Sequence, residues 1–411
     1  MKRPFAWLAL AVAVITLVAG GLYYVRIKRF WGITQTDFSV FYHAGYQMDR
    51  GVSPYEYHPT RYTTDAEYLF KYAPPVGLAM IPMSRLAVQD AIRWWYALTG
   101  LALIVALWGV RRLVRPTLAS PAHAALIYGL LLLTILRPYL ATLRLGQIDV
   151  VLAACLIAFL AALAARRDWL AGWWLAIPIL CKLVPLVWLV YLAAARRWRA
   201  FAWTVIAMLG YLASPIIHLG LAGTGRAMRA WLGVLGTSGG NVEWLLRYKN
   251  QSVLSTVLRI IAGPHAETVT PSQWGIALGI TGGLGILYGA WVWRAIRRAR
   301  QAPDALDTLA APSLVMIAMV IFSPHAWTAT FIHLVLPYGV LIAYLVTRGR
   351  QDRIGWGLLA GSFLLVSATA PDAGLGSVLS RTVHLFTPMM WGAACLAAGV
   401  WRVSAHSREQ T

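Results

Sequence analysis

The stretch WLAGWWLAIPILCKLVPLVWLVYLAAA fills residues 169–195, between Arg166-Arg167 and the cluster Arg196-Arg197-Trp198-Arg199. Its 27 residues carry one charge, Lys182, and as a single helix they would cross about 30 Å of hydrocarbon. Pro178 and Pro185 break it on either side of that lysine. A proline inside a helix removes a backbone hydrogen bond and clashes with the preceding turn. Short basic clusters mark cytoplasmic ends, so a stretch with such a cluster at each end starts and finishes on the same face. The reading is a re-entrant pair of half-helices, tolerated at membrane depth only where the broken backbone packs in protein or lines a cavity.

The rest of the chain agrees with a membrane setting. Of 411 residues 59% are hydrophobic and 12% charged, and the mean hydropathy is +0.63, far above the soluble range. A net charge of +21 would suggest nucleic acid in a soluble protein. Here the basic residues sit in short loops between apolar runs, at Arg111 to Arg115, Arg166-Arg167, Arg196 to Arg199, Arg294 to Arg300, Arg348 to Arg353 and from Arg402. That is the positive-inside pattern, and it excludes nucleic acid as the partner.

Spans are expected near 5–25, 91–110, 119–142, 148–165, 200–222, 274–294, 309–327, 329–347, 353–371 and 384–402, with both termini cytoplasmic. The first is read as an uncleaved anchor, because it is longer than a signal-peptide core and further spans follow. The proline-broken stretch 74–88 is too short to cross and is expected at the outer interface. The expected fold is an all-α polytopic integral membrane protein of about ten to twelve transmembrane helices, one domain over 1–411. Two extracytoplasmic loops, 26–73 and 223–272, then carry most of the polar chemistry. Cys155, Cys181 and Cys395 lie in apolar runs without metal-ligand spacing and read as small buried residues.

Asp37 opens the polar part of the first loop, flanked by Phe38, Phe41 and Tyr42. A partly desolvated carboxylate at headgroup level suits a general base for an acceptor hydroxyl, and an acid before a short helix equally suits a cap. Arg137 and Arg144 border the outer end of a span, with Gln147 and Asp149 beyond. Arginine matches phosphate with its planar fork, or it snorkels to the headgroups. Lys182, in the middle of the broken hairpin, is either functional or a structural partner of headgroups and carbonyls. As partners for a phosphate at headgroup depth, Arg144 comes first, His325 second because it is charged only when protonated, and Lys182 third because it starts from the middle of the hairpin.

In the second loop, Arg247, Lys249, Asn250 and Gln251 cluster beside Glu243 and Trp244. Amides next to aromatic faces make good sugar-binding surfaces. Asn250-Gln251-Ser252 also matches a glycosylation sequon, a short pattern that arises often by chance. Pro324 breaks a late apolar run and leaves His325 and His333 near its outer end, without the further ligands that a metal site needs.

The blocks TDFSVFYHAG, GVSPYEY, KYAPPVGLAMIPMSRL, LRLGQIDVVLAACLIAF, CKLVPLVWL, YKNQSVLSTVLR and SPHAW, in that order from about residue 30 to about residue 340, resemble the family-87 glycosyltransferases. The resemblance implies a GT-C-like integral-membrane enzyme with a polyprenyl-phosphate sugar, typically mannose, as donor. It implies Asp37 as catalytic base, and functional roles for Tyr72-Ala73-Pro74-Pro75, a Tyr-Pro-Pro signature with Ala73 inserted. It extends to Gly146-Gln147, Lys182 with Pro185, Asn250-Gln251-Ser252, and Ser323-Pro324 with Trp327. Family members often carry a histidine two residues after that tryptophan; here the position is Ala329, and His325 precedes the tryptophan by two.

Together these readings lead to an inverting hexosyltransferase, mannosyltransferase-like, acting on the extracytoplasmic face of the plasma membrane on a glycolipid or glycan acceptor. Membrane lipids surround it, and no cofactor or metal is expected. A lipid-linked-sugar flippase, with Lys182 and Arg144 in a mid-membrane cavity, is the alternative. An essential carboxylate in the outer loop separates the first reading from the second.

Overall fold

The computed structural model describes residues 2–29, 37–56, 70–117, 120–238, 242–300, 304–369 and 382–406, and these are helical with no strand among them. Residues 30–36 and 57–69 of the expected first outer loop and the end of the expected 353–371 span lie outside the described residues. Helix α1 (Lys2–Arg29) leads to the short α2 (Asp37–Asp49), and α3 (Pro74–Ala79) and α4 (Ile81–Ser84) follow. With six and four residues, each with a proline in its first turn, α3 and α4 cannot cross a bilayer, as expected of 74–88.

Helices α5 (Val88–Val114) and α6 (Pro121–Leu145) are long and apolar, and α7 (Asp149–Ala164) returns beside α5. At 1.5 Å per residue α7 is about 24 Å long, shorter than the hydrocarbon core, so its polar start lies within the protein. The quoted hairpin forms α8 (Asp168–Cys181), a break at Lys182, and α9 (Val187–Ala194). Its two ends meet: Arg197, just after α9, donates to the Leu163 carbonyl at 2.8 Å and to Asp168 at 3.2 Å. The chain therefore leaves and re-enters on one side, with Lys182 at the tip.

One expected span is corrected. The 200–222 run is two helices, α10 (Trp198–Ala213) and α11 (Ile216–Ser238), bent by 95° at Ser214-Pro215. Pro215 can continue neither the hydrogen bonding nor the packing of the preceding turn. The expected outer loop 223–272 is largely helical as well, comprising the rest of α11, α12 (Val242–Leu246) and α13 (Val253–Ala262). The chain continues through α14 (Pro271–Ala299), α15 (Ala305–Ile321), a 3-10 segment at Thr328–Leu334, α16 (Val335–Thr347), α17 (Arg353–Phe363) and α18 (Pro388–His406). Among the described residues five helices are long and apolar enough to cross a membrane, or six if the bent pair is one span, and shorter apolar helices fill the remainder.

Ion pairs and capping bonds gather the basic clusters at one end of the bundle. Arg348 pairs with Asp304 at 2.7 Å, Arg402 with Asp352 at 2.8 Å, Arg300 donates to the Ala194 carbonyl, and the Arg298 guanidinium lies 4.1 Å from the Trp401 ring centre. Asp37, Gln147, Asp149 and Lys182 lie at the opposite end. Single cysteines introduced next to Val52 and Ala266 should react with an impermeant maleimide on intact cells, and cysteines next to Arg112 or Arg298 only after permeabilisation. Labelling near Arg112 from outside would overturn this sidedness.

Candidate active site

Helix α2 is placed by its aromatic face. Phe38 lies 5.3 Å from Trp95 of α5, and Phe41 lies 4.7 Å from Tyr72 and 5.5 Å from Trp95, ring centre to ring centre. Gly45 permits a near-touching approach to α4, since a Cβ there would come within 2.5 Å of the Met80 carbonyl oxygen. Gly51, at φ +70°, ends the helix. The Gly51-x-x-Pro54-Tyr55 turn then folds the chain back, with the Gln47 amide donating to the Glu56 carbonyl and the Tyr55 hydroxyl to the Tyr72 carbonyl.

Asp37 is the first residue of α2, where an acid is favoured by the helix dipole. Its carboxylate accepts a hydrogen bond from the Gln147 side chain. The Gly146-Gln147 pair has a backbone reason. Gly146 closes α6 at φ +65°, its carbonyl accepts from Trp95 Nε1 at 3.1 Å, and a Cβ there would lie 2.8 Å from Phe38 Cβ. A glycine is needed for Gln147 to come up under Asp37.

Two residues on, α7 starts with Asp149, which is fully buried. Lys182 Nζ donates to both of its oxygens, at 2.7 and 2.8 Å, and His333 Nε2 lies 3.3 Å from Oδ1. The lysine that appears mid-membrane in the sequence is carried by α8 to the depth of Asp149. Its tip is docked to the first loop: the Ala73 N–H donates to the Leu180 carbonyl at 3.1 Å, a group left open by the helix break. The residue inserted in the Tyr-Pro-Pro signature thus supplies a cap to the hairpin.

Burial raises the Asp37 carboxyl above the ordinary carboxylate range, opposed by the Gln147 hydrogen bond and by the charges of Lys182 and Lys71. Lys71 is pushed down to about 8 by its own burial, against the pull of Asp37. Its ammonium lies 3.4 Å from the Trp244 ring centre. Trp244 meets His325 edge-on at 5.8 Å, and His325 stacks on Trp327 at 6.3 Å with the planes 8° apart. Lys71 therefore joins the carboxylates to an aromatic wall.

The expected site residues divide accordingly. Asp37, Gln147 and Lys182 come together, Tyr72 packs beside them on Phe41, and His325 belongs to the aromatic wall. Arg144, half-buried in the last turn of α6, lies one turn before this group. Asn250 and Gln251 do not face an open surface. Asn250 donates to the Pro324 and Trp244 carbonyls at 2.8 and 3.3 Å and accepts from Ala326 and Ser252 N–H at 3.1 and 3.2 Å. Gln251 donates to the Tyr248 and His384 carbonyls at 2.8 and 3.0 Å and accepts from the Met389 N–H. Both are fully buried, and they bind the second loop to the Ser323-to-Trp327 turn. Lys71, Asp149 and His333 are absent from the sequence-based set; the signal for Asp149 was its place two residues after Gln147, at the head of an apolar run.

A model of glycosyltransferase family 87 matches residues 70–324. The chain belongs to that family. It is thus a membrane glycosyltransferase. No curated protein matches it. The matched segment of this family-87 chain holds Lys71, Gln147, Asp149, Lys182, Asn250 and Gln251, whereas Asp37 and His333 lie on either side of it. Their position in the site rests on the fold.

Because Asn250 holds four backbone groups, its replacement leaves several of them buried without partners. Asn250→Ala should destabilise the protein by about 2–4 kcal/mol and disconnect Trp244 from the Trp327 turn. Thermal unfolding in detergent checks this; a variant as stable as the wild type would show that the clamp is dispensable.

Proposed function

We propose that this family-87 protein is an inverting transferase of GT-C architecture, with about ten to twelve membrane crossings, both termini cytoplasmic and the site on the extracytoplasmic face. It would move a hexose, most simply mannose, from a polyprenyl-phosphate donor to a glycolipid or glycan acceptor. The observation that carries the reading is a carboxylate at the head of α2 whose basicity is raised by burial while it remains partly exposed. A base with its proton affinity moved toward neutrality, at the end of the bundle opposite the basic clusters, suits activation of a hydroxyl.

In the proposed step the acceptor oxygen attacks the anomeric carbon from the face opposite the phosphate. Its proton passes to an Asp37 oxygen, the new glycosidic bond forms, and the anomeric carbon–oxygen bond to phosphate breaks with inversion. The polyprenyl phosphate leaves with the bonding pair, and nearby cations stabilise it. Among the described residues, Lys182 and Lys71 are cations whose charge acts on Asp37. We therefore rank them ahead of Arg144 and His325 as phosphate partners. Gln147 orients the base, Trp244, His325 and Trp327 offer faces for sugar rings, and Asn250 and Gln251 position that wall.

Asp37→Asn keeps the shape and removes the base, so a properly inserted variant should lose transfer by about 10²- to 10⁴-fold. Purified protein assayed with polyprenyl-phosphate mannose and membrane lipid extract tests this, and retention of more than about a tenth of wild-type activity would end the base assignment.

The lysine gives a pH signature. As Lys71 is held at about 8, its ammonium is present below that pH and is lost as pH rises through it. Donor kcat/KM should therefore fall above about pH 8, and Lys71→Arg, charged throughout, should move that fall to higher pH. An alkaline limb that stays in place in Lys71→Arg would remove Lys71 from the phosphate site.

A further inference from the structure

Two carboxylates feel the charge of one cation. Asp37 is hydrogen-bonded to Gln147, Asp149 stands two residues beyond it, and Lys182 rests on both Asp149 oxygens at 2.7 and 2.8 Å. Lysine is a point charge on a flexible stem and could turn to either acid. The two acids differ in enclosure: Asp149 is 0% exposed, whereas Asp37 keeps a partly exposed edge. An enclosed carboxylate left without its cation is much the costlier of the two, so the ammonium stays with Asp149. His333, 4% exposed, closes the other side of the same oxygen.

We infer that Asp149, with His333 behind it, is a positioning residue that holds the Lys182 ammonium off Asp37, leaving Asp37 as the base and Lys182 as a cation for the departing phosphate. This deepens the proposed function and rests on its reading of Asp37. The arrangement solves a conflict within the site. A base and a phosphate-binding cation must stand close together, yet if they pair directly the base loses its basicity and the cation its ligand. A second, buried carboxylate keeps them separate.

Among the described residues, these groups face Asp37 or lie on the elements packed against it. Lys71 and Tyr72 approach from the segment before α3, Gln147 and Asp149 from the junction of α6 and α7, and Lys182 from the hairpin tip. His43 lies on α2 itself. Asp49, Arg85 and His218 gather at the far end of α2, and on α5 Asp90 pairs with Arg93.

The test reads Asp37 directly and needs no substrate. The full chain in nanodiscs is titrated by infrared spectroscopy with isotope-labelled aspartate, and Asp37→Asn serves as the blank. In Asp149→Asn the ammonium turns to Asp37, whose titration midpoint should fall by about one pH unit or more. The acidic limb of the pH–rate profile with polyprenyl-phosphate mannose should move the same way, with a higher donor KM. Lys182→Gln should move the midpoint up, because the Asp149 charge then acts on Asp37 uncompensated. The double variant Asp149→Asn/Lys182→Gln, which buries no lone charge, should bring it back down. This pair holds the ammonium absent and reads whether the Asp149 charge reaches Asp37, a condition of the proposal that stays testable even if Asp149→Asn fails to fold. Equal midpoints in Lys182→Gln and the double variant, or an unmoved midpoint in Asp149→Asn, would reduce Asp149 to a purely structural role. Failure of the underlying reading looks different: Asp37→Asn would then keep its transfer activity while the midpoints still moved.

Discussion

The contact on which the rest of the site depends is the one between Asp149 and Lys182. A carboxylate with no exposed surface needs a cation, and breaking such a pair by removing one partner costs about 3–5 kcal/mol. The pair ties the start of α7 to the tip of the α8–α9 hairpin, 33 residues apart in sequence. It thereby sets the depth at which the hairpin turns. From that tip the Leu180 carbonyl receives the Ala73 N–H, which fixes the segment holding Lys71 and Tyr72. From the other side, Gln147 reaches Asp37. One electrostatic requirement therefore brings four separate pieces of chain to one place.

Around this centre the packing is aromatic on one side and amide-clamped on the other. Phe38, Phe41, Tyr72 and Trp95 hold α2 through ring contacts, which suit a boundary between hydrocarbon and water. Asn250 and Gln251 spend their hydrogen bonds on backbone groups of distant segments, so the Trp244 and Trp327 faces are held without a regular helix between them. Glycine enters at two close approaches, Gly45 and Gly146, where a side chain would displace a neighbouring helix. The result is a partly exposed acid at the rim, with cations behind it and flat faces beside it.

Much of this was legible beforehand, and the misses have physical reasons. The membrane class, the basic end, the interruption at Lys182 and the shortness of 74–88 follow from hydropathy, charge and proline, all of which act locally. The bend at Ser214-Pro215 was readable in principle but hidden by the apolar residues on both sides of it. The second outer loop looked open because its residues are polar, yet Asn250 and Gln251 are polar to bond the chain's own carbonyls. Lys182 looked mid-membrane because distance along a sequence was taken as depth, which a hairpin does not respect.

By itself the sequence determined that this chain lives in a bilayer, where prolines and basic clusters interrupt its apolar runs, and which residues are costly enough there to require a partner. Tertiary structure alone decided which partner each one takes. Asp149 reads as a residue at a helix start, His333 as a histidine in an apolar run, and Lys71 as part of a turn; none has a local pattern that points to the others. Their pairing depends on where α7, the α8–α9 hairpin and the Thr328–Leu334 turn end in space. Coulomb attraction and desolvation act through distance in three dimensions, and neither is written in the spacing of residues along the chain.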